Sequence, residues 1–348
     1  LQQQKWRLLR GNIDSCKREY QLPYPRIAIQ SSMSEKKIIA VFGATGAQGG
    51  GLARAILNDP NSDFSVRVVT RDVNSDKAKA LAAQGAEVVA ADIDDVESLK
   101  KALVGAYGAY FVTFFWAHFS PEKEMAEAKN MAEAAKAEGL KHAIWSTLED
   151  VRNWVPLADT SMPTLHGKYK VPHFDGKGAS DQFFIDAGLP VTFLLASYYW
   201  ENLIYFGMGP KRDADGKLSF AMPMGDKKLA GIAAEDIGRC AYGIFKKGPS
   251  MVGKRVGVAG DQLTCADMAK AFSSVLGEVV TYNEISPEVY RSFGFPGADD
   301  LGNMFQFYRD FDEVCNGTRS VTFSRELNPQ LQSFETWLVE NAKRIPLE

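Results

Sequence analysis

From Lys37 onward, short apolar runs alternate with amphipathic stretches of helical length. Runs of four to six apolar residues suit strands buried on both faces, and the intervening apolar spacing of three and four suits helices packed against them. The pattern predicts strands at 37–42, 65–70, 87–90, 108–113, 142–146 and 191–195, with helices near 49–57, 75–83, 95–103, 121–138 and 175–187. The helix at 121–138 carries its own start signal, Ser120-Pro121-Glu122-Lys123-Glu124, and stops at Gly139. Such recurrence of strand and helix is the signature of an α/β fold, a Rossmann-type doubly wound parallel sheet. In that arrangement the loops after 42, 70, 90, 113 and 146 converge on one crevice at the carboxyl ends of the strands. From about residue 196 the pattern loosens, with a later strand expected at 254–258 and helices near 264–276, 286–293 and 330–343. The expected organisation is a dinucleotide-binding domain over 36–195 and a smaller mixed α/β lid or substrate region over 196–348 packed on it.

The loop after the first strand reads Gly43-Ala44-Thr45-Gly46-Ala47-Gln48-Gly49. Glycines at this spacing, with a strand before and a helix after, allow a sharp turn that aims free backbone N–H groups at a pyrophosphate. A second strand, Ser65-Val66-Arg67-Val68-Val69-Thr70, follows at the interval a βαβ unit requires. The residue after it separates the two nicotinamide cofactors, because a carboxylate binds a ribose 2′-hydroxyl and an arginine accepts a 2′-phosphate. Here that residue is Arg71, with Lys77 close behind, so NADP(H) is expected. Asp72 is the awkward neighbour, since a carboxylate aimed into the crevice would oppose a phosphate. Asp92 and Ile93 are expected at the adenine. Thr113, Phe114 and Phe115 end the fourth strand beside the nicotinamide ribose, with the aromatic rings as either pocket wall or core.

Composition narrows the classes further. A chain of 348 residues with 45% hydrophobic content can bury a large core. No apolar stretch approaches the roughly 20 residues of a membrane-spanning helix. Cys16, Cys240, Cys265 and Cys315 have neither metal-ligand nor redox-motif spacing, which fits a reducing, cytoplasmic setting, and no metal is expected. Residues 1–32 stand apart with a net charge of +4, against −7 for the remainder of a chain that totals −3. They precede Met33-Ser34-Glu35, which looks like a natural start, so they are expected to lie outside the fold. Upstream sequence, a basic organelle-targeting peptide and a functional arm all fit them. The acidic remainder argues against nucleic acid as a partner.

The residues from 36 to the C-terminus resemble the NmrA-like family of atypical short-chain dehydrogenases/reductases, and within it the NADPH-sensing redox-sensor branch. The resemblance rests on Val41-Phe42-Gly43-Ala44-Thr45-Gly46-Ala47-Gln48-Gly49-Gly50, Val66-Arg67-Val68-Val69-Thr70-Arg71, Gln84-Gly85-Ala86-Glu87-Val88-Val89 and His173-Phe174-Asp175-Gly176-Lys177-Gly178. Glu201-Asn202-Leu203 and the run Phe293-Gly294-Phe295-Pro296-Gly297-Ala298-Asp299-Asp300-Leu301-Gly302-Asn303-Met304-Phe305 add to it. It implies NADP(H) held by Gly43 to Gln48, Arg71 to Ser75, Asp92-Ile93, Thr113 to Phe115, Lys177 and the segment Tyr199-Trp200-Glu201-Asn202.

The chain departs from ordinary short-chain dehydrogenases where those enzymes place a tyrosine four residues before a lysine. His173 and Lys177 occupy that spacing here. His173 either donates a proton to a substrate or makes a local backbone bond at a helix start. Lys177 is expected to position the nicotinamide ribose. Ser146, after the fifth strand, either bonds a substrate or nicotinamide carbonyl or caps the strand end. Two functions follow: an NADP(H)-binding, redox-sensing regulator read by a protein partner, with weak or no catalysis, or an NADPH-dependent reductase of a small aromatic or conjugated carbonyl or quinone. Either is compatible with a monomer or a homodimer.

Overall fold

A computed structural model describes residues 35–347, so the basic segment 1–32 lies outside the described residues. Lys36–Glu348 form one compact unit. Its first half contains β1 (Lys37–Phe42), α1 (Ala47–Leu57), β2 (Phe64–Thr70), α2 (Asp76–Ala83), β3 (Glu87–Ala90), α3 (Val96–Leu103), β4 (Gly108–Phe111), α4 (Pro121–Ala137), β5 (His142–Thr147), α5 (Pro172–Asp186) and β6 (Val191–Leu195). All six strands are parallel in the spatial order β6-β5-β4-β1-β2-β3, and the strand Arg255–Gly257 adds a seventh beside β6. The order reverses between β1 and β4, which is where a doubly wound sheet opens its ligand crevice.

Alternate residues of each strand feed two cores, as a sheet covered on both faces requires. In β1, Ile39 and Val41 face the core shared with α1 and the helix Ala234–Lys247, and Ala40 and Phe42 face the core of α3, α4 and α5. Glycine lets α1 sit directly on the Ala234–Lys247 helix: a Cβ on Gly51 would lie 2.2 Å from the Glu235 carbonyl oxygen, and one on Gly238 would lie 2.2 Å from that of Gln48. This backbone-to-backbone contact fixes the N-terminal end of α1.

The later region builds two small three-stranded sheets. One orders Asp261–Thr264, Lys228–Ile232 and Tyr198–Tyr199; the other orders Val280–Glu284, Leu218–Met222 and Lys211–Arg212. Phe220 of these sheets, with Trp200 and with Phe272, Phe334 and Trp337 from the helices Cys265–Leu276 and Phe334–Asn341, continues the core on the α1 face of the parallel sheet. Several expected boundaries moved, among them the last long helix, which runs Phe334–Asn341 rather than 330–343, and two of the shifts bear on the site. The fourth strand stops at Phe111 rather than 113, because the chain turns there to bring Thr113 onto α4 and α5. The fifth helix starts at Pro172 rather than 175, with the Asp175 carboxylate accepting the backbone N–H groups of Lys170, Val171 and Val151.

Candidate dinucleotide site

The chain leaves β1 at Phe42 and turns at once. Gly43 has φ of +64°, a conformation that side-chain-bearing residues rarely hold, and its carbonyl accepts the Gly46 N–H at 2.9 Å. α1 then starts without a side-chain cap and without an acid in its first turn. The leading N–H groups of Ala47, Gln48 and Gly49 therefore have no partner within the helix, and the positive end of the helix dipole is not neutralised locally. Gly43, Gly46 and Ala47 are exposed, Thr45 is half-buried and Ala44 is buried beneath them. A Cβ on Gly49 would come within 2.6 Å of the carbonyl oxygens of Phe42 and Gly43. Only glycine permits this closeness of strand and helix, and the resulting cradle suits a pyrophosphate.

Beyond β2, Arg71 and Lys77 are exposed and make no hydrogen bond or ion pair among the described residues. Asp72 is occupied within its own loop: Oδ1 accepts the Asn74 N–H at 2.8 Å, and its carbonyl accepts the Ser75 hydroxyl at 3.0 Å. Ser75 in turn caps α2 by accepting the Ala78 N–H. Arg71 and Lys77 thus leave two unpaired cations just beyond β2, with the neighbouring carboxylate engaged by backbone. After β3, Asp92 accepts the Asp94 N–H at 3.1 Å, and the Ile93 carbonyl accepts Asn130 Nδ2 at 3.0 Å, leaving the exposed Asp92 as the more available of the two.

At the opposite end of the crevice most polar side chains are already bonded to protein. The side chain of Gln48 points inward, bonding Tyr199 through its amide nitrogen and accepting the hydroxyls of Tyr110 and, at 2.8 Å, Ser146 through its oxygen. Gln48 thus offers a dinucleotide its backbone only, and Ser146 is spent on Gln48. Burial also pushes the Tyr110 and Tyr199 phenols well above their ordinary range. Lys177 donates to Thr113 Oγ1 at 2.7 Å and lies 3.1 Å from Glu124 Oε1. Phe114 is exposed, while Phe115 is buried against Trp116 and the His173 ring.

His173 makes no local helix-start bond. Its Nδ1 is 2.6 Å from Asp300 Oδ1, and its backbone N–H donates to Asp300 Oδ2 at 3.1 Å. Asp300 belongs to the helix Ala298–Asp310, so α5 receives its cap from a distant part of the chain. The residues after Tyr199 serve mainly the fold. Trp200 is buried against Phe334 and Trp337, and Glu201 accepts the Ala234 N–H at 2.9 Å and Trp337 Nε1 at 3.2 Å. Asn202 is half-buried and opens the short helix Asn202–Tyr205.

Sequence reasoning missed three residues here. Glu124 was visible as an early acid of α4 and was absorbed by that role. Asp300 lay within the quoted Phe293–Phe305 run but had no assigned partner. Arg319 is fully buried, donating from Nη1 and Nη2 to Glu149 at 2.5 and 2.8 Å and from Nε to the Ala196 carbonyl at 2.9 Å. Burial alone would raise the Glu149 carboxyl, but the Arg319 guanidinium beside it holds it below its ordinary value. No local pattern pointed to that pair. Among the described residues, no helix is long and apolar enough to cross a membrane.

The model of the NmrA-like family matches residues 35–338. The NmrA-like family domain-containing oxidoreductase FrzB of Cladobotryum sp is 31% identical over 291 residues, covering 78% of this chain and 83% of that protein. The oxidoreductase lnaB of Aspergillus flavus is 27% identical, covering 78% and 84%. Among solved structures, NmrA, a negative transcriptional regulator, superposes in its complex with NADP at a TM-score of 0.71 and 25% identity, covering 88% of this chain and 95% of that one. The triphenylmethane reductase of Citrobacter sp., complexed with NADP(H), shares the fold at a TM-score of 0.67 and 20% identity, covering 88% and 99%. With its doubly wound sheet, its glycine cradle and a family match over nearly all of the described chain, this protein belongs to the NmrA-like family.

Proposed function

We propose that the protein binds NADP(H) and acts as a redox-sensing regulator, with occupancy of the crevice as the signal and with weak or no turnover. One contrast carries this reading. The phosphate end of the crevice has free donors, the α1 N-terminus with Arg71 and Lys77, whereas at the other end Ser146, Lys177 and His173 Nδ1 are already bonded to protein and His173 Nε2 is left without a bond among the described residues. Free donors favour holding an anionic cofactor, and side chains already bonded to protein leave little besides His173 Nε2 to move a proton during chemistry. In this reading residues 36–195 hold the dinucleotide, residues 196–348 cover its open side, and a protein partner reads the covered state. The separated thiols Cys240, Cys265 and Cys315, all buried and free, agree with a reducing cytoplasmic setting.

One observation favours the alternative of an NADPH-dependent reductase of a small conjugated carbonyl or quinone. The Asp300 carboxylate fixes the His173 ring through Nδ1, and Nε2 makes no hydrogen bond among the described residues. An imidazole held in this way can deliver a proton from Nε2. The relatives named as oxidoreductases support the same alternative.

The two readings separate when NADPH absorbance is followed with a panel of quinones and aldehydes. Binding without consumption supports the sensor. Consumption lost in His173→Ala supports the reductase with His173 as acid, and consumption that survives there but fails in Lys177→Ala supports a reductase that only positions its cofactor.

A further inference from the structure

Lys177 and Glu124 meet at the end of the crevice away from Arg71. Thr113 joins them, its hydroxyl donating to Glu124 Oε1 at 2.7 Å and accepting from Lys177 Nζ at 2.7 Å. Glu124 is completely buried, and its Oε2 has no hydrogen-bond partner. The Lys177 side chain keeps a small exposure, 12%. Lysine and glutamate together thus bring no net charge to this end. The other buried carboxylates of the region have their own partners: Asp300 is bonded to His173, Asp181 to Thr147 and Arg255, Glu149 to Arg319, and Asp175 to three backbone N–H groups, and Glu127 lies 3.6 Å from Lys123 and 3.7 Å from His118.

A dinucleotide with its pyrophosphate at α1 and its adenosine half toward Arg71 lays its nicotinamide half on the β4 side of the switch point. The oxidised nicotinamide ring is positively charged and the reduced ring is neutral. An uncompensated lysine on that side would penalise the oxidised form alone, and the penalty would be large in a partly desolvated crevice. We infer that Glu124 determines the relative affinity for oxidised and reduced cofactor by cancelling the charge of Lys177. The inference rests on the reading of the crevice as an NADP(H) site, and it names the residue through which a redox sensor would obtain its differential affinity.

The test is the ratio of the NADP⁺ and NADPH dissociation constants, measured by titration of tryptophan fluorescence on the full chain. Glu124→Gln keeps the acceptor for Thr113 and removes the charge, and it should raise the ratio about tenfold. Lys177→Met leaves the carboxylate unopposed and should lower the ratio by a similar factor. The double variant, with both charges removed, should return to within about twofold of the wild type. Melting curves establish which variants are folded. Removing one partner of a buried pair can unfold a protein, so the Lys177→Met and double variants carry the test should Glu124→Gln not fold. Ratios within about twofold of the wild type in the folded single variants would overturn the role of Glu124 while leaving cofactor binding intact. A wild-type protein that binds neither form would overturn the proposed function itself.

Discussion

Asp300 caps α5 from outside that helix, its two carboxylate oxygens taking the backbone N–H and the ring Nδ1 of a single residue, His173. The contact ties the helix that carries Lys177 to the helix Ala298–Asp310, so the parallel-sheet region and the region after residue 196 share a buried joint here.

Asp300→Ala leaves two buried donors without an acceptor and should destabilise the protein by about 2 to 3 kcal/mol, while Asp300→Asn, which keeps an acceptor, should recover part of that loss. Urea unfolding measures both. Equal stability of the alanine variant and the wild type would show that the joint carries no load.

The Arg319–Glu149 pair makes a second joint, between the loop after β5 and the C-terminal region. Arg319→Ala strands a buried carboxylate and should cost about 3 to 5 kcal/mol. Replacing both residues, with methionine at 319 and leucine at 149, removes the stranded charge and should be much less damaging. Chemical denaturation of the single and double variants distinguishes a pair needed for stability from one that is merely costly to break.

His142 is fully buried in β5, bonded through Nε2 to Thr192 at 2.9 Å, and burial depresses its pKa from 6.5 to about 4. The unfolded chain therefore binds a proton that the folded chain refuses between those values. The stability this supplies is complete above pH 6.5 and is lost as the pH falls toward 4, by roughly 3 kcal/mol in all. Asp175, raised to about 6 by burial, acts with the opposite sign over its own window from 3.8 to about 6. The histidine contribution is thus read as a difference: His142→Gln should flatten the acid slope relative to the wild type. An unchanged slope would contradict the assignment.

Gly49→Ala places a methyl group 2.6 Å from two carbonyl oxygens. The strand and helix must then part, and NADPH affinity should fall by at least about tenfold as the cradle deforms. Calorimetric titration of the variant checks this, and unchanged affinity would show that α1 is not the anchor.

Much of this was legible in the chain. β1, β2 and β4 to β6 announce themselves because both faces of these parallel strands are largely buried, so each reads as an apolar run, while the edge strand β3 is only half-buried and shows through Val88-Val89 alone. The glycine cradle is equally plain, because only glycine satisfies its backbone. The helix Ala298–Asp310 was not legible: Ala298, Leu301, Met304, Phe305, Phe307 and Tyr308 are buried, and so are Asp300, Asn303 and Gln306, so no polar face marks its period. The small sheets escaped notice because strands as short as Tyr198–Tyr199 and Lys211–Arg212 carry no alternation to read. The pairings of Gln48 with Ser146 and of Lys177 with Glu124 depend on the crossing of β5 and α5 with elements far away in sequence, and no local pattern encodes them.

The proposed function requires that this crevice bind NADP(H) and that Arg71 contact the 2′-phosphate. Calorimetric titration of NADPH and NADH into the wild type and Arg71→Ala tests it most directly. The wild type should prefer NADPH by about tenfold or more, and the variant should lose this preference by weakening toward NADPH while its affinity for NADH holds. Equal binding of the two cofactors by the wild type, or a preference that survives the loss of Arg71, would contradict it.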